Sequence, residues 1–184
     1  LIDMVMGLLV PESGSILVDD VTLDEKNTKS WQNKIAHVPQ DIFLSDASVE
    51  ENIAFGVPKE LIDSDWVRQC ASRAKIAEVI EGLPAGYGTF VGERGVRLSG
   101  GQKQRLGVAR ALYRRASLIV FDEATSALDN ETEISLMKEI ESLDKNMTLS
   151  MIAHRRSTLS GCTKIVELCD GGILKIGGYL DFAD

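Results

Sequence analysis

Short apolar runs recur along the chain, and each run ends where polar residues begin. The runs at 34–38, 118–121 and 149–153 are mostly apolar, which is typical of strands buried on both faces of a parallel sheet. Pro39 ends the first run because proline cannot continue a central strand. Three further strands are predicted at 15–19, 164–168 and 172–176, the last two joined by an Asp170-Gly171 turn.

Helical spacing fills the segments between these runs. Four apolar residues share one helical face at the start of the chain: Leu1, Val5, Leu8 and Leu9. This pattern predicts that the chain starts inside a helix, and Gly7 limits how far that helix continues.

A longer helical pattern covers 58–116, with a glycine-rich break at 82–95. Asp129 is placed to cap a later helix, whose predicted buried stripe is Leu136, Ile140 and Leu143. Alternating strands and helices predict an α/β fold with a largely parallel sheet. We expect a core from 1–57 and 117–184, with a helical subdomain at 58–116.

Composition narrows the class of protein. With 184 residues and 44% hydrophobic content, the chain can form one compact domain with a real core. Its 28 acidic and 20 basic residues give a net charge of −8, which disfavours nucleic acid as a partner. The longest nearly apolar stretch, 4–10, is too short to span a bilayer. The chain starts at Leu1 without a signal peptide pattern, so we expect it to be part of a longer protein.

Two glycines stand at an unusual place in the segment LSGGQKQR at 98–105. Ser99 and Gln102 have the spacing of a capping box, which would open an ordinary helix. Gly100 and Gly101 each sacrifice about 0.8–1 kcal/mol of helix propensity relative to alanine, and a cap does not require them. They leave the backbone N–H groups of the first turn uncovered, as a phosphate site needs. The same helix N-terminus can therefore serve both as a capping box and as a phosphate-binding site.

Polar residues follow three of the predicted strands. Gln40 comes after the strand at 34–38, Asp122 and Glu123 after 118–121, and His154 after 149–153. Ligands of open α/β sheets collect at the carboxyl ends of the strands. One carboxylate can hold Mg²⁺ while its neighbour orients and deprotonates an attacking water, as phosphoryl transfer requires.

These motifs, in this order, resemble the nucleotide-binding domain of ABC transporters over nearly the whole chain. VPQ at 38–40 resembles the Q-loop, LSGGQ at 98–102 the signature, 118–123 the Walker B strand, SALD at 126–129 the D-loop and IAH at 152–154 the H-loop. The segments 48–56, 86–88, 91–95 and 154–159 are similar to the exporter branch. The resemblance implies a P-loop ATPase-type fold with an inserted signature subdomain at 58–116.

The resemblance also implies residue roles in ATP hydrolysis with Mg²⁺. It makes Glu123 the catalytic base, places His154 on the γ-phosphate, and assigns Asp122 to the metal. Gln40 would contact the metal, sense nucleotide and couple to a transmembrane domain.

Nucleotide contacts across a dimer are implied for a second group of residues: Ser99, Gly100, Gly101, Gln102 and Asp129. The implied partners are a transmembrane domain, which Glu93 and Arg94 would face, and a second nucleotide-binding domain, with a homodimer expected. The implied location is the cytoplasmic face of a membrane.

The chain departs from the family in one respect: it contains no GxxxxGK[ST] motif. That Walker A loop would supply the phosphate cradle and its lysine, so we expect residues 1–184 alone to be inactive. Truncation explains the gap better than degeneration because the later motifs are intact. Two alternatives to the exporter ATPase stay open: a soluble non-transport ABC ATPase and a catalytically inactive ABC-like interaction module.

Several single residues have plainer interpretations. His37 lies among apolar neighbours in a strand and is interpreted as structural. The three cysteines are interpreted as packing residues because no metal or disulfide spacing joins them. Trp31 and Trp66 are interpreted as partial core or interface anchors. The arginines of the signature helix are interpreted as a solvated face with ion pairs: Arg105, Arg110, Arg114 and Arg115.

Overall fold

The structure is a computed structural model that describes residues 1–93, 96–124, 128–141, 147–153 and 156–182. Its helices are α1 (Ile2–Val5), α2 (Thr28–Gln32), α3 (Val49–Ile53), α4 (Ser64–Arg73), α5 (Ala77–Glu81), α6 (Gly100–Tyr113) and α7 (Asn130–Glu141). Its strands are β1 (Leu17–Val18), β2 (Val21–Thr22), β3 (Ile35–Val38), β4 (Ala47–Ser48), β5 (Phe90–Val91), β6 (Leu118–Asp122), β7 (Thr148–Ile152), β8 (Ile165–Cys169) and β9 (Gly172–Gly177).

The three apolar runs form one parallel sheet in the order β3-β6-β7. Val38 pairs with Phe121, and Asp122 pairs with Ile152, so the three strands end at the same edge. This arrangement confirms the predicted α/β fold with a parallel sheet.

Helices cover both faces of this sheet. On one face, Ile119 lies in a buried cluster with Leu106 of α6 and Leu136 of α7. On the other face, Val120 lies in a second cluster with Met6. Burial on both faces explains why β6 is almost uniformly apolar rather than alternating. β7 is only partly buried, so the prediction that it is buried on both faces was wrong.

The first helix is shorter than predicted. Gly7 adopts a φ of +69° and closes a Schellman motif in which the Leu8 N–H donates to the Asp3 carbonyl at 2.8 Å. The helix therefore ends before Leu8 and Leu9, which are 62% and 58% exposed. Placing Leu8 and Leu9 on the helical face was therefore wrong, whereas the limit that Gly7 sets on the helix is confirmed, and Met6 is buried.

Two hairpins flank the parallel sheet in sequence. β8 and β9 pair antiparallel around Asp170 and Gly171, whose φ angles of 49° and 78° confirm the predicted turn. β1 and β2 form a hairpin that was predicted only as one strand. Its turn uses Asp19 and Asp20 at φ 47° and 66°, without the glycine that usually marks such turns.

Helices α4, α5 and α6 occupy about half of the segment 58–116. Trp66 of α4 donates its indole N–H to the Tyr113 carbonyl of α6 at 3.1 Å, and its ring lies between the guanidinium groups of Arg73 and Arg115. Trp66 is half-buried, in agreement with its interpretation as a partial core anchor. The division into a core and a helical subdomain stays a prediction, because one buried cluster contains residues of both segments.

The arginines of the signature helix match the predicted solvated face only in part. Arg114 and Arg115 are exposed, and Arg115 covers the Trp66 ring at 4.5 Å. Arg105 donates to the Lys75 carbonyl, and Arg110 is half-buried against the loop that follows β3. The prediction was wrong for Arg110, because its side chain reaches backbone carbonyls and an aromatic ring of neighbouring elements.

The cysteines divide into two kinds. Cys70 is fully buried in α4, and burial raises the pKa of its thiol to about 12, which suits a packing residue. Cys169 is exposed on β8, so the packing interpretation was wrong for it.

Helix α7 provides a test of the predicted buried stripe. Leu136 is 0% exposed, whereas Ile134 on the same helix is 49% exposed. We expect Leu136→Ala to lower the free energy of unfolding by about 2–5 kcal/mol because it leaves a cavity in the core. Ile134→Ala is the matched control and should cost less than about 1 kcal/mol. Urea denaturation followed by circular dichroism measures both, and equal losses would contradict the assigned orientation of α7.

Candidate functional site

The candidate site lies at the carboxyl edge of the parallel sheet. Asp122 is the last residue of β6, Glu123 follows it, and Gln40 lies two residues beyond β3. Since β3 and β6 are parallel neighbours in register, their carboxyl ends lie side by side and place these three residues at one edge. His154, the fourth residue predicted here, lies outside the described residues.

Glu123 has an unusual backbone conformation. Its φ is 50°, in the left-handed region that non-glycine residues rarely adopt. Its N–H donates to the Ile152 carbonyl at 3.2 Å, so the backbone at Glu123 is tied to the end of β7. Backbone strain of this kind costs about 1–3 kcal/mol and clusters at functional sites. The conformation therefore supports a special role for the position directly after β6.

His37 lies close to Asp122. Its Nε2 lies 4.0 Å from Asp122 Oδ2, and the two side chains are 35% and 38% exposed. The earlier interpretation of His37 as a residue with no role missed this contact. His37 pairs with Val120, so its side chain lies on the same face of the sheet as that of Asp122, and only the strand register in the structure shows this.

The oxygen donors at this edge fit Mg²⁺. Asp122 offers a partly exposed carboxylate, and Gln40 offers an exposed amide oxygen. Within the described ranges, no group of three or more His, Cys, Asp or Glu side chains is placed to enclose a metal. A partial set suits Mg²⁺, which is usually held by one or two carboxylates and completes its octahedron with water and phosphate oxygens.

The first turn of α6 has the predicted capping box. The Ser99 N–H donates to Gln102 Oε1 at 2.9 Å, and the Gln102 N–H donates to Ser99 Oγ at 3.3 Å. Ser99 and Gly100 are exposed. The cap is thus confirmed, and the two glycines lie at an accessible helix N-terminus.

Asp129 caps α7, as predicted. Its two carboxylate oxygens accept the Thr132 N–H at 2.9 Å and the Thr132 hydroxyl at 2.7 Å. These two bonds lower the pKa of the Asp129 carboxyl. Ser126, earlier in the same motif, lies outside the described residues.

The sequence reasoning missed how the loop after Gln40 is held. Ser48 and Glu51 form a capping box at the start of α3, and the spacing S-x-x-E at 48–51 signals it. Asn52, also on α3, is fully buried, and its side chain holds the backbone of Ser45 through both its oxygen and its nitrogen.

Comparison with known proteins identifies the family. A sequence model described as "ABC transporter" matches residues 1–126, more than half of the chain. The chain belongs to the ABC transporter family. This membership confirms the P-loop ATPase-type fold and implies a nucleotide-binding domain.

Three similar proteins are named as a transporter, a flippase and an exporter. The chain is 40% identical over 184 residues to "ABC transporter ATM1" of Toxoplasma gondii, covering 100% of this chain and 16% of that protein. It is 39% identical over 182 residues to "ATP-dependent lipid A-core flippase" of Cupriavidus metallidurans, covering 98% and 31%. A structure titled "Structure of a bacterial Atm1-family ABC exporter with ATP bound" matches with a TM-score of 0.90 at 35% identity, covering 98% of this chain and 32% of that one.

This chain spans about a third or less of the length of these relatives. In the described part of the chain, every helix is too short or too polar to cross a membrane.

The Asp129 cap predicts a pH dependence. A carboxyl whose pKa is lowered in the folded state adds stability above its unfolded pKa, about 3.9, and loses it as the pH falls through the folded value. Asp129→Asn keeps the capping geometry and removes the charge. The difference in unfolding free energy between parent and variant should be constant from about pH 5.5 to 7.5 and shrink below about pH 4.

Urea titrations at a series of pH values measure this difference. Glu131→Gln is the matched control, because it removes a carboxylate from the same helical turn without touching the Thr132 bonds. A difference between parent and Asp129→Asn that persists unchanged to about pH 2.5 would contradict the charged cap.

Proposed function

We propose that this chain is the ATP-binding and ATP-hydrolysing part of an ABC exporter and works through ATP-driven dimerisation. The observation that carries the proposal is the parallel sheet edge at which Gln40, Asp122 and Glu123 lie together. The family match and the similarity to an ATP-bound exporter structure support it.

Hydrolysis needs a group that takes a proton from the attacking water. Glu123 fills this role in the proposal, because its strained backbone directs a carboxylate from the end of β6. Asp122 and Gln40 would hold Mg²⁺. When it is bound, this ion would neutralise negative charge on the phosphates. His154 would contact the γ-phosphate. Residues 1–184 contain no GxxxxGK[ST] and, in the proposal, are inactive alone, so activity is measured in the full-length protein.

The signature turn would act on nucleotide held by a second domain. Ser99 and Gly100 are exposed at a helix N-terminus, where backbone N–H groups and the helix dipole favour an anion. With Gly101, Gln102 and Asp129 they would complete the ATP site of a partner copy, which makes a homodimer the expected assembly.

The proposed second partner is a transmembrane domain, which places this chain at the cytoplasmic face of a membrane. Gln40 and the exposed Glu93 would face that domain, while Arg94 lies outside the described residues. The printed names of the relatives favour an exporter over a soluble ABC ATPase.

The role of Glu123 can be tested by removing its basicity. We expect Glu123→Gln to lower kcat by at least about 100-fold, since a positioned base contributes about 10²–10⁴-fold, and to preserve ATP affinity. Steady-state hydrolysis and calorimetric ATP binding measure the two quantities. Glu167→Gln, on exposed β8, is the matched control. A variant that keeps more than about a tenth of the parent rate would overturn the assignment of the base.

The trans role of the signature can be tested by obstructing its first turn. Ser99→Arg and Gly101→Asp should block ATP-driven dimerisation while leaving ATP binding to each monomer unchanged, because they fill or repel the site of the partner's phosphate. Sedimentation velocity of the hydrolysis-deficient Glu123→Gln protein with ATP measures dimer formation. Ser72→Arg on exposed α4 is the matched control. Normal dimerisation of both signature variants would show that this turn acts elsewhere.

A further inference from the structure

Arg110 connects helix α6 to the loop that carries Gln40. Its Nε donates to the Asn52 carbonyl at 2.8 Å, and one terminal nitrogen donates to the Phe43 carbonyl at 3.0 Å. The other terminal nitrogen donates to Asn52 Oδ1 at 3.1 Å. The guanidinium also lies 4.7 Å from the centre of the Phe55 ring. One side chain on α6 therefore contacts both ends of the segment 43–55.

Asn52 extends this contact into the loop. Its side-chain nitrogen donates to the Ser45 and Ser48 carbonyls, both at 3.0 Å, and its oxygen accepts the Ser45 N–H at 3.0 Å. Asn52 is fully buried, so these bonds are shielded from water. Arg110 and Asn52 together hold the loop backbone from both sides.

The close packing of Gly107 against Ile42 is a second observation that α6 lies directly against the Gln40 loop. A Cβ at position 107 would overlap the Ile42 side chain and come within 2.9 Å of Ile42 Cγ1. Gly107 is therefore needed for the loop to approach α6 this closely. Ile42 lies two residues after Gln40, and Gly107 lies one turn before Arg110.

The three acceptors of Arg110 are uncharged oxygens, and a substantial part of its side chain is removed from water. Burying a guanidinium against neutral acceptors is costly, so an ordinary surface anchor does not account for it. The planar guanidinium of Arg110 donates to two backbone carbonyls and one side-chain amide oxygen at fixed angles, which the ammonium group of a lysine cannot do.

We propose that Arg110 is a positioning residue that fixes the Gln40 loop to the signature helix, so that Gln40 and the Ser99 turn move as one unit during ATP hydrolysis. The inference rests on the proposed function, because it assigns Arg110 a role in that same reaction. Arg110 acts through the loop, because its hydrogen bonds go to the Asn52 and Phe43 carbonyls and to Asn52 Oδ1.

The first measurement separates positioning from nucleotide affinity. We expect Arg110→Met in the full-length protein to lower kcat by about 10–100-fold, since small displacements of catalytic groups have effects of this size. The KM for ATP should change by less than about threefold. Arg114→Met, an exposed arginine of the same helix end, is the matched control. Arg110→Lys should behave like Arg110→Met, and it replaces that variant if Met at this position prevents folding.

The second measurement uses a disulfide between the Gln40 loop and α6 to replace the contacts that Arg110→Met removes. Cysteines at 42 and 107 are close enough for a disulfide, given the contact of Gly107 with Ile42. In a background with Cys162→Ser and Cys169→Ser, oxidation of Ile42→Cys with Gly107→Cys should raise the kcat of the Arg110→Met protein at least fivefold. Reduction should reverse the gain. Because a disulfide also stabilises the fold against unfolding, urea denaturation of Arg110→Met with and without the disulfide separates rescue of positioning from rescue of stability.

Three results would overturn the proposal: an Arg110→Met or Arg110→Lys protein that keeps more than half of the parent kcat, a fully formed disulfide that restores nothing, or unchanged exchange of the Ser45 amide in Arg110→Met. Hydrogen exchange provides a readout that does not depend on activity. Arg110→Met should speed exchange of the Ser45 amide at least tenfold and leave the amides of α4 unchanged. An inactive parent would refute the proposed function, whereas unchanged Ser45 exchange would refute the attachment.

Discussion

The pairing of β6 with both β3 and β7 is the constraint on which the candidate site depends. Each pair is parallel and in register, so the residues that follow the three strands reach the same edge. Asp122 and Glu123 lie in the middle of that edge because β6 is the central strand. Burial of β6 on both faces stabilises this position, since Ile119 and Val120 belong to different apolar clusters. The same strand, β6, therefore determines both where the site residues lie and how the two apolar clusters are arranged.

The elements predicted well are those with a strong local pattern. β6 is an uninterrupted apolar run, and its position within one residue was readable from the sequence. The cap of α7 was also readable because Asp129 stands three residues before the Thr132 N–H that it accepts. Errors occurred where a glycine or an unusual turn overrides periodicity: Gly7 ends α1 early, and Asp19 turns the chain into β2 without a glycine.

The sequence predicted that Gln40, Asp122 and Glu123 lie at one edge of the sheet, but not the contacts that hold the surrounding loops. Their roles in a site stay a prediction. Strand ends identified Gln40, Asp122 and Glu123, since they require only the order of elements. Contacts between distant segments left no local signal, so Arg110 was misinterpreted as a surface residue and the contact of His37 with Asp122 was missed. Arg110 reaches a residue 58 positions away. Only packing in three dimensions identifies such partners.

The pairing of Ile35 with Leu118 also has a consequence for folding. About 80 residues must be looped out before β3 can join β6, at a chain-entropy cost of about 4 kcal/mol from the logarithmic term. Looping out about 30 residues for β6 and β7 costs about 3 kcal/mol by the same relation. The difference is small because closure entropy grows only with the logarithm of loop length. Doubling the length of the segment between β3 and β6 would raise the chain-entropy cost of closing it by about 0.6 kcal/mol. Insertions in this segment therefore destabilise the sheet very little.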